Sequence, residues 1–154
     1  MKLSKDFSLS EFEKSQVATR LGISNSVPEE YIPRIKSLTS NVLQSIRDIH
    51  GRVSISSGFR SATLNKAIGG STKSQHSIGE AADFEVPGLD NLELAEWVRD
   101  NLQFDQLILE FYIEGEPSSG WVHVSYSEDN RNEVLTASKE GSKTIYKRGL
   151  PSLS

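Results

Sequence analysis

The chain has 154 residues, no cysteine, three histidines and 17 Lys+Arg against 21 Asp+Glu, a formal net charge of -4. This length suits one domain, spanning residues 1–154, with room for a real core, and a slightly acidic chain without a basic run has nothing to track a phosphate backbone, so nucleic acid is not expected as a partner. Zero cysteines exclude disulfides, a thiolate metal site and a cysteine nucleophile, so any chemistry must come from oxygen and nitrogen groups, and they leave the redox compartment open.

The N-terminal third reads as helical. Ser8 with Glu11, or Ser10 with Glu13, has capping-box spacing, and Leu21-Gly22 supplies a stop. After Pro28, the residues Ile32, Ile35, Leu38, Val42, Ile46 and Ile49 recur at three- and four-residue intervals, an apolar stripe that ends at Gly51. His50 beside that terminus is expected to be a cation favoured by the helix dipole. From Arg52 the period changes, and Val53-Ser54-Ile55-Ser56 alternates as a strand does. Ala62 to Ile68 fits a short helix, broken by Gly69-Gly70-Ser71, and a loop then carries His76.

In the strand that follows, Ala82, Phe84 and Val86 share one face, and Ala81, Asp83 and Glu85 the other. Asp90 or Asn91 caps a helix that buries Leu94, Trp97, Val98 and Leu102. A strand is predicted over 104–113, with Leu107, Leu109, Phe111 and Ile113 on one face and Gln106, Ile108, Glu110 and Tyr112 on the other. In a second strand, over 121–126, Val122, Val124 and Tyr126 alternate with Trp121, His123 and Ser125, and 114–120 is the hairpin loop between the two. Val134 to Ala137 and Thr144 to Tyr146 form a last hairpin, and the tail from Gly149 to Ser154 is expected to be loose.

Two further expectations concern location. Met1 to Asp6 leads into a charged helical pattern and not into an apolar signal core, so synthesis in the cytoplasm without a signal peptide is expected, with release by another route. The most apolar stretch, Leu107 to Ile113, is far shorter than the about 20 residues a membrane span needs.

The strand parities converge on an α+β fold: a largely antiparallel sheet with helices on one face and Asp83, Glu110 and His123 on the other, where a groove is expected. His76 and Asp83, spaced by seven, together with His123 provide two imidazoles and one carboxylate, the three-ligand set of a zinc site that leaves one position open. Glu110, on the His123 face, is a half-buried ionisable group that needs a reason to be there.

The run Ser74-Gln75-His76-Ser77-Ile78-Gly79-Glu80-Ala81-Ala82-Asp83, the upstream Ser57-Gly58-Phe59-Arg60-Ser61 and the late Trp121-Val122-His123-Val124 resemble the zinc D-Ala-D-Ala carboxypeptidase family, whose fold is shared with the signalling domain of hedgehog. The opening Phe7-Ser8-Leu9-Ser10-Glu11-Phe12 and the run Phe104-Asp105-Gln106-Leu107-Ile108 are similar to those of small phage-encoded members. The resemblance implies Zn2+ held by His76, Asp83 and His123, and a peptidase acting on peptidoglycan stem peptides or cross-links, of the kind used as phage or prophage lysis enzymes with holin-dependent exit to the wall. Many family members place the catalytic acid three residues before the last histidine, where this chain has Gly120. Hedgehog-like relatives carry it at the end of the strand beginning Phe-Asp, and the matching position is Glu110, with Asp105, Glu114 and Glu116 as alternatives.

Arg60 is a candidate grip for a substrate carboxylate, because a guanidinium fork binds one bidentately; the competing reading is a surface ion pair. Ser74 and Gln75 either hydrogen-bond a metal ligand or the substrate, or stabilise their own loop. Trp121 either walls the groove or fills core. A monomer is expected. Two other classes remain: a catalytically silent zinc-containing binding module of the same fold, and a metal-free structural protein of a phage particle.

Overall fold

Ser8 starts the first helix as the capping box requires, its backbone N–H donating to Glu11 Oε2 at 2.8 Å. In the computed structural model, which describes residues 1–152, the helix is short: α1 (Leu9–Glu13) breaks at Lys14, and α2 (Gln16–Leu21) restarts on a Ser15 cap and ends at Gly22 in the left-handed conformation.

The apolar stripe forms α3 (Ile32–Leu38) and α4 (Gln44–His50), joined without a break by a π-helical turn over Thr39–Leu43. Ile35, Leu38, Val42 and Ile46 are fully buried. Ile49 is not: it is 64% exposed. The wide π turn shifts the phase of the helix, so the residue one full turn after Ile46 that faces inward is His50, its ring edge-on to Trp97 at 4.7 Å between centroids.

The other elements are β1 (Ser54–Ser57), α5 (Ala62–Ala67), a 3-10 turn over Gln75–Ile78, β2 (Ala81–Glu85), α6 (Asn91–Asn101), β3 (Gln106–Glu110), β4 (Trp121–Ser125), β5 (Glu133–Glu140) and β6 (Lys143–Arg148). Trp97 on α6 and Leu102, which ends it, pack only part-buried, while Leu92 and Ala95 join Leu94 and Val98 inside. β3 stops at Glu110 because Phe111 turns to φ 59°, which leaves Ile113 56% exposed and outside the strand.

The fold is α+β, with a six-stranded sheet in the order β1-β2-β4-β3-β5-β6. It is mixed, because β3 and β5 pair in parallel while the other four neighbours are antiparallel. The expectation of an antiparallel sheet is corrected at that one pair, and connectivity is the reason. β4 is already flanked by β2 and β3, so the chain leaving Ser125 passes to an outer edge of the sheet, here that of β3. It arrives beside Asp105, whose carbonyl accepts from Glu133 N–H at 3.0 Å, and therefore runs in the same direction as β3.

Ala82, Phe84, Leu107, Leu109, Val122 and Val124 pack with Ile35, Leu38, Val42 and Val98 in one core. The opposite parity carries Asp83, His123 and Ile108, which lie directly across from one another, and Glu110 and Trp121, which form the next row. Part of the predicted loose tail is anchored: Gly149 N–H donates to Val134 O at 2.8 Å, and Leu150 packs against the core. The last two residues of that tail lie outside the described residues. Among the described residues no helix is long and apolar enough to cross a membrane.

Candidate active site

Ser74 caps the 3-10 turn by accepting from His76 N–H at 3.2 Å, and Gly79 closes it in the left-handed conformation (φ 78°), which a side chain would resist. The turn is pinned against the loop after β1, where Arg60 N–H donates to His76 O at 3.2 Å. His76 Nδ1 donates to Gly58 O at 2.7 Å, which leaves the lone pair on Nε2. That Nε2 is buried and has no hydrogen-bond partner. It points toward Asp83, whose Oδ1 lies 3.4 Å away and also contacts His123 Nδ1 at 2.8 Å.

One donor atom from each of His76, Asp83 and His123 lies within 4.8 Å of the others, so the three could hold a metal ion. Burying Asp83 would raise its carboxyl, but the imidazoles set against it, with the hydrogen bond from His123 Nδ1, overcome that and hold it well below the usual carboxylate range. Burial likewise lowers the pKa of His76, favouring the neutral imidazole that binds metals. An orphaned buried imidazole nitrogen, an ionised carboxylate and a second imidazole fit zinc.

Glu110 lines the same cavity, about 450 Å³, as His76, Asp83 and His123. Its Oε2 accepts a hydrogen bond from Trp121 Nε1. Burial, and then the charge of Asp83, push the Glu110 carboxyl above its ordinary value, the direction that suits a group exchanging protons near neutral pH. Gly120, where the family pattern often has its acid, has φ 65°, and a Cβ there would run into the backbone carbonyl of Glu110. The strand end that carries Glu110 thus occupies the space that a side chain at 120 would need.

Of the alternative acids, Asp105 is held by Arg131 (2.8 and 3.0 Å) and Gln75 (2.9 Å), which keep its carboxyl low, and Glu114 and Glu116 are exposed on the β3–β4 loop. Arg60 is in the cavity wall and mostly buried, with Nη2 3.8 Å from Asp83 Oδ2, Nε donating to Ser57 Oγ at 3.2 Å and Nη1 to Asn65 Oδ1 at 3.4 Å. Ser74 and Gln75 line the cavity while also bonding locally, Gln75 Nε2 reaching both Glu80 and Asp105. Trp121 is half-buried, stacked edge-on to Phe111 at 5.3 Å, and touches the site through its bond to Glu110. Sequence reasoning missed Tyr146, Lys73 and Arg131 in the cavity lining. The alternation of the last hairpin holds a signal for Tyr146, but only the parallel β3–β5 pairing brings that hairpin to the site.

The model of the peptidase M15 family matches residues 5–125. The chain belongs to the peptidase M15 family. Members of that family are zinc-dependent, and the membership makes this chain a metallopeptidase with a peptide substrate. No curated protein matches it. The matched segment of this M15 peptidase ends with β4, so it contains His76, Asp83, Glu110 and His123 and leaves out β5 and β6.

Proposed function

We propose that this M15 peptidase is a single catalytic domain that hydrolyses an amide bond in peptidoglycan stem peptides or cross-links, as a D-Ala-D-Ala carboxypeptidase or endopeptidase, and serves as a phage or prophage lysis enzyme at the cell wall. The observation that carries the reading is Glu110, a carboxyl of raised pKa sharing one cavity with the His76, Asp83 and His123 group. His76 Nε2, Asp83 and His123 would hold zinc. Bound there, zinc supplies Lewis-acid chemistry and generates a nucleophile from water at neutral pH.

The chain's own residues supply the rest. Gly58 O fixes the His76 ring through Nδ1. Trp121 fixes Glu110 through Oε2 and leaves Oε1 to take a proton from the attacking water and hand it to the leaving amine. Arg60 offers a fork to a substrate carboxylate at the cavity wall. The groove that this face forms takes the peptide.

The test is mass spectrometry of fragments released from purified peptidoglycan by the zinc-loaded protein, with Glu110→Gln alongside. Free D-Ala, monomerised cross-links or freed stems name the bond, and the variant is expected to keep its zinc while turnover drops about 10²- to 10⁴-fold. One zinc per chain with no fragment from several wall types would instead identify a binding module.

A further inference from the structure

The hairpin outside the family match reaches the site through register. Trp121 lies opposite Glu110 on β3, Glu110 opposite Ala137 on β5, and Ala137 opposite Tyr146 on β6. Residues directly opposite share a face, so this row places Tyr146 on the face of Glu110. Between them in the row is Ala137, a small residue 1% exposed. Tyr146 is 54% exposed, lines the cavity that holds the metal-binding group, and its hydroxyl has no hydrogen-bond partner among the described residues. An exposed aromatic with a free donor at the rim of a cavity is a common form of binding side chain.

We propose that Tyr146 is a substrate-binding residue whose phenol hydroxyl donates a hydrogen bond to the backbone of a peptide lying across β3, β5 and β6. Neighbouring strands are about 4.8 Å apart, so β3 to β6 is about 10 Å, the length of about three extended residues. The substrate therefore extends two to three residues beyond the cut bond on the Glu110 side, and the hairpin sets a length preference that the family-matched part does not. Partial burial, and then the charge of Glu110, raise the pKa of the phenol, which keeps the hydroxyl a donor across the working pH range.

This rests on the peptidase reading, and the test separates the two. Steady-state kinetics of zinc-loaded wild type and Tyr146→Phe are compared on synthetic stem peptides of increasing length, and binding of the same peptides to Glu110→Gln and Glu110→Gln/Tyr146→Phe is measured by calorimetry. Tyr146→Phe removes one oxygen, and a thermal melt checks that it folds as wild type does. On the longest peptides it should raise KM and Kd about 3- to 10-fold with kcat little changed, as one neutral hydrogen bond allows. On peptides too short to reach β6 the two proteins should be alike. Equal KM and Kd on the longest peptide, or an equal loss on the shortest, overturns the Tyr146 assignment and leaves the peptidase reading intact. If wild type cleaves none of the peptides and Glu110→Gln binds none, both fall.

Discussion

The face that carries the candidate site is built from two unlike halves. Around β2 and β4 the polar groups are buried and committed: His76 is 3% exposed and Asp83 7%, each fixed by named partners. Along β5 and β6 most side chains are part-buried or exposed, Tyr146 at 54%, with Ala137 the buried exception and Val134 packed against the core. The first half lies inside the family match and the second outside it. Rigid burial suits groups that must hold a metal and a proton in fixed positions, whereas an exposed edge can change its side chains with little cost to the core.

The largest expected effect lies wholly in the buried half. His76→Ala or Asp83→Asn should abolish stoichiometric zinc, read by elemental analysis after dialysis, and reduce hydrolysis to background. Chelation of the wild type should do the same reversibly, with activity returning on zinc addition. If either variant kept one zinc per chain, the metal would be held elsewhere, and the contrast between the halves would lose its basis.

Gly120→Ala comes next. The position combines φ 65° with a collision against Glu110 O, so the substitution should cost about 1–3 kcal/mol in urea unfolding and disturb the site by moving the strand end that carries Glu110. A neutral result would mean that the β3–β4 junction is more pliable than the burial around it suggests.

Asp105 is the bridge between the halves, since it binds Gln75 beside His76 and Arg131 at the entry to β5. Arg131, and with it Gln75, holds its carboxyl below the ordinary range against the opposing effect of burial. A depressed carboxyl stabilises fully above its unfolded value, about 4, and that contribution is lost as pH falls through the lower folded value. Asp105→Asn should therefore be about 1–2 kcal/mol less stable than wild type at pH 7, discounted for the exposed Arg131, with the gap closing below pH 4. Urea titrations at several pH values check this, and a gap independent of pH would assign the loss to packing instead of charge.

These same residues explain what could be read without coordinates. That Asp83, Glu110 and His123 share a face was legible because strand parity is local: alternate residues along Ala81–Glu85, Gln106–Glu110 and Trp121–Ser125 face one way whatever the partner strand, whereas His76, on a turn, was offered by its spacing from Asp83 and by the motif around it. The strand order and the parallel β3–β5 pair were not, since they depend on which sheet edge is free once β4 is enclosed, a property of the whole sheet. For the same reason Tyr146, remote in sequence, gave no sign of reaching Glu110. The π turn at Thr39–Leu43 escaped notice because the stripe spacing before it is ordinary, and its effect shows only in the outward turn of Ile49.

Ser74→Ala should have the smallest effect and the sharpest bearing on the comparison. The hydroxyl accepts from His76 N–H and caps a turn of only four residues, so its loss should cost about 1 kcal/mol. Because that turn aims His76 Nε2, the cost should appear mainly as weaker zinc affinity, measured by competition with a chromophoric chelator. KM for long peptides should not move, since the hairpin side is untouched. If KM rose while zinc affinity stayed the same, Ser74 would be contacting substrate, and the division between a half that holds the metal and a half that recognises the peptide would have to be redrawn through the 3-10 turn.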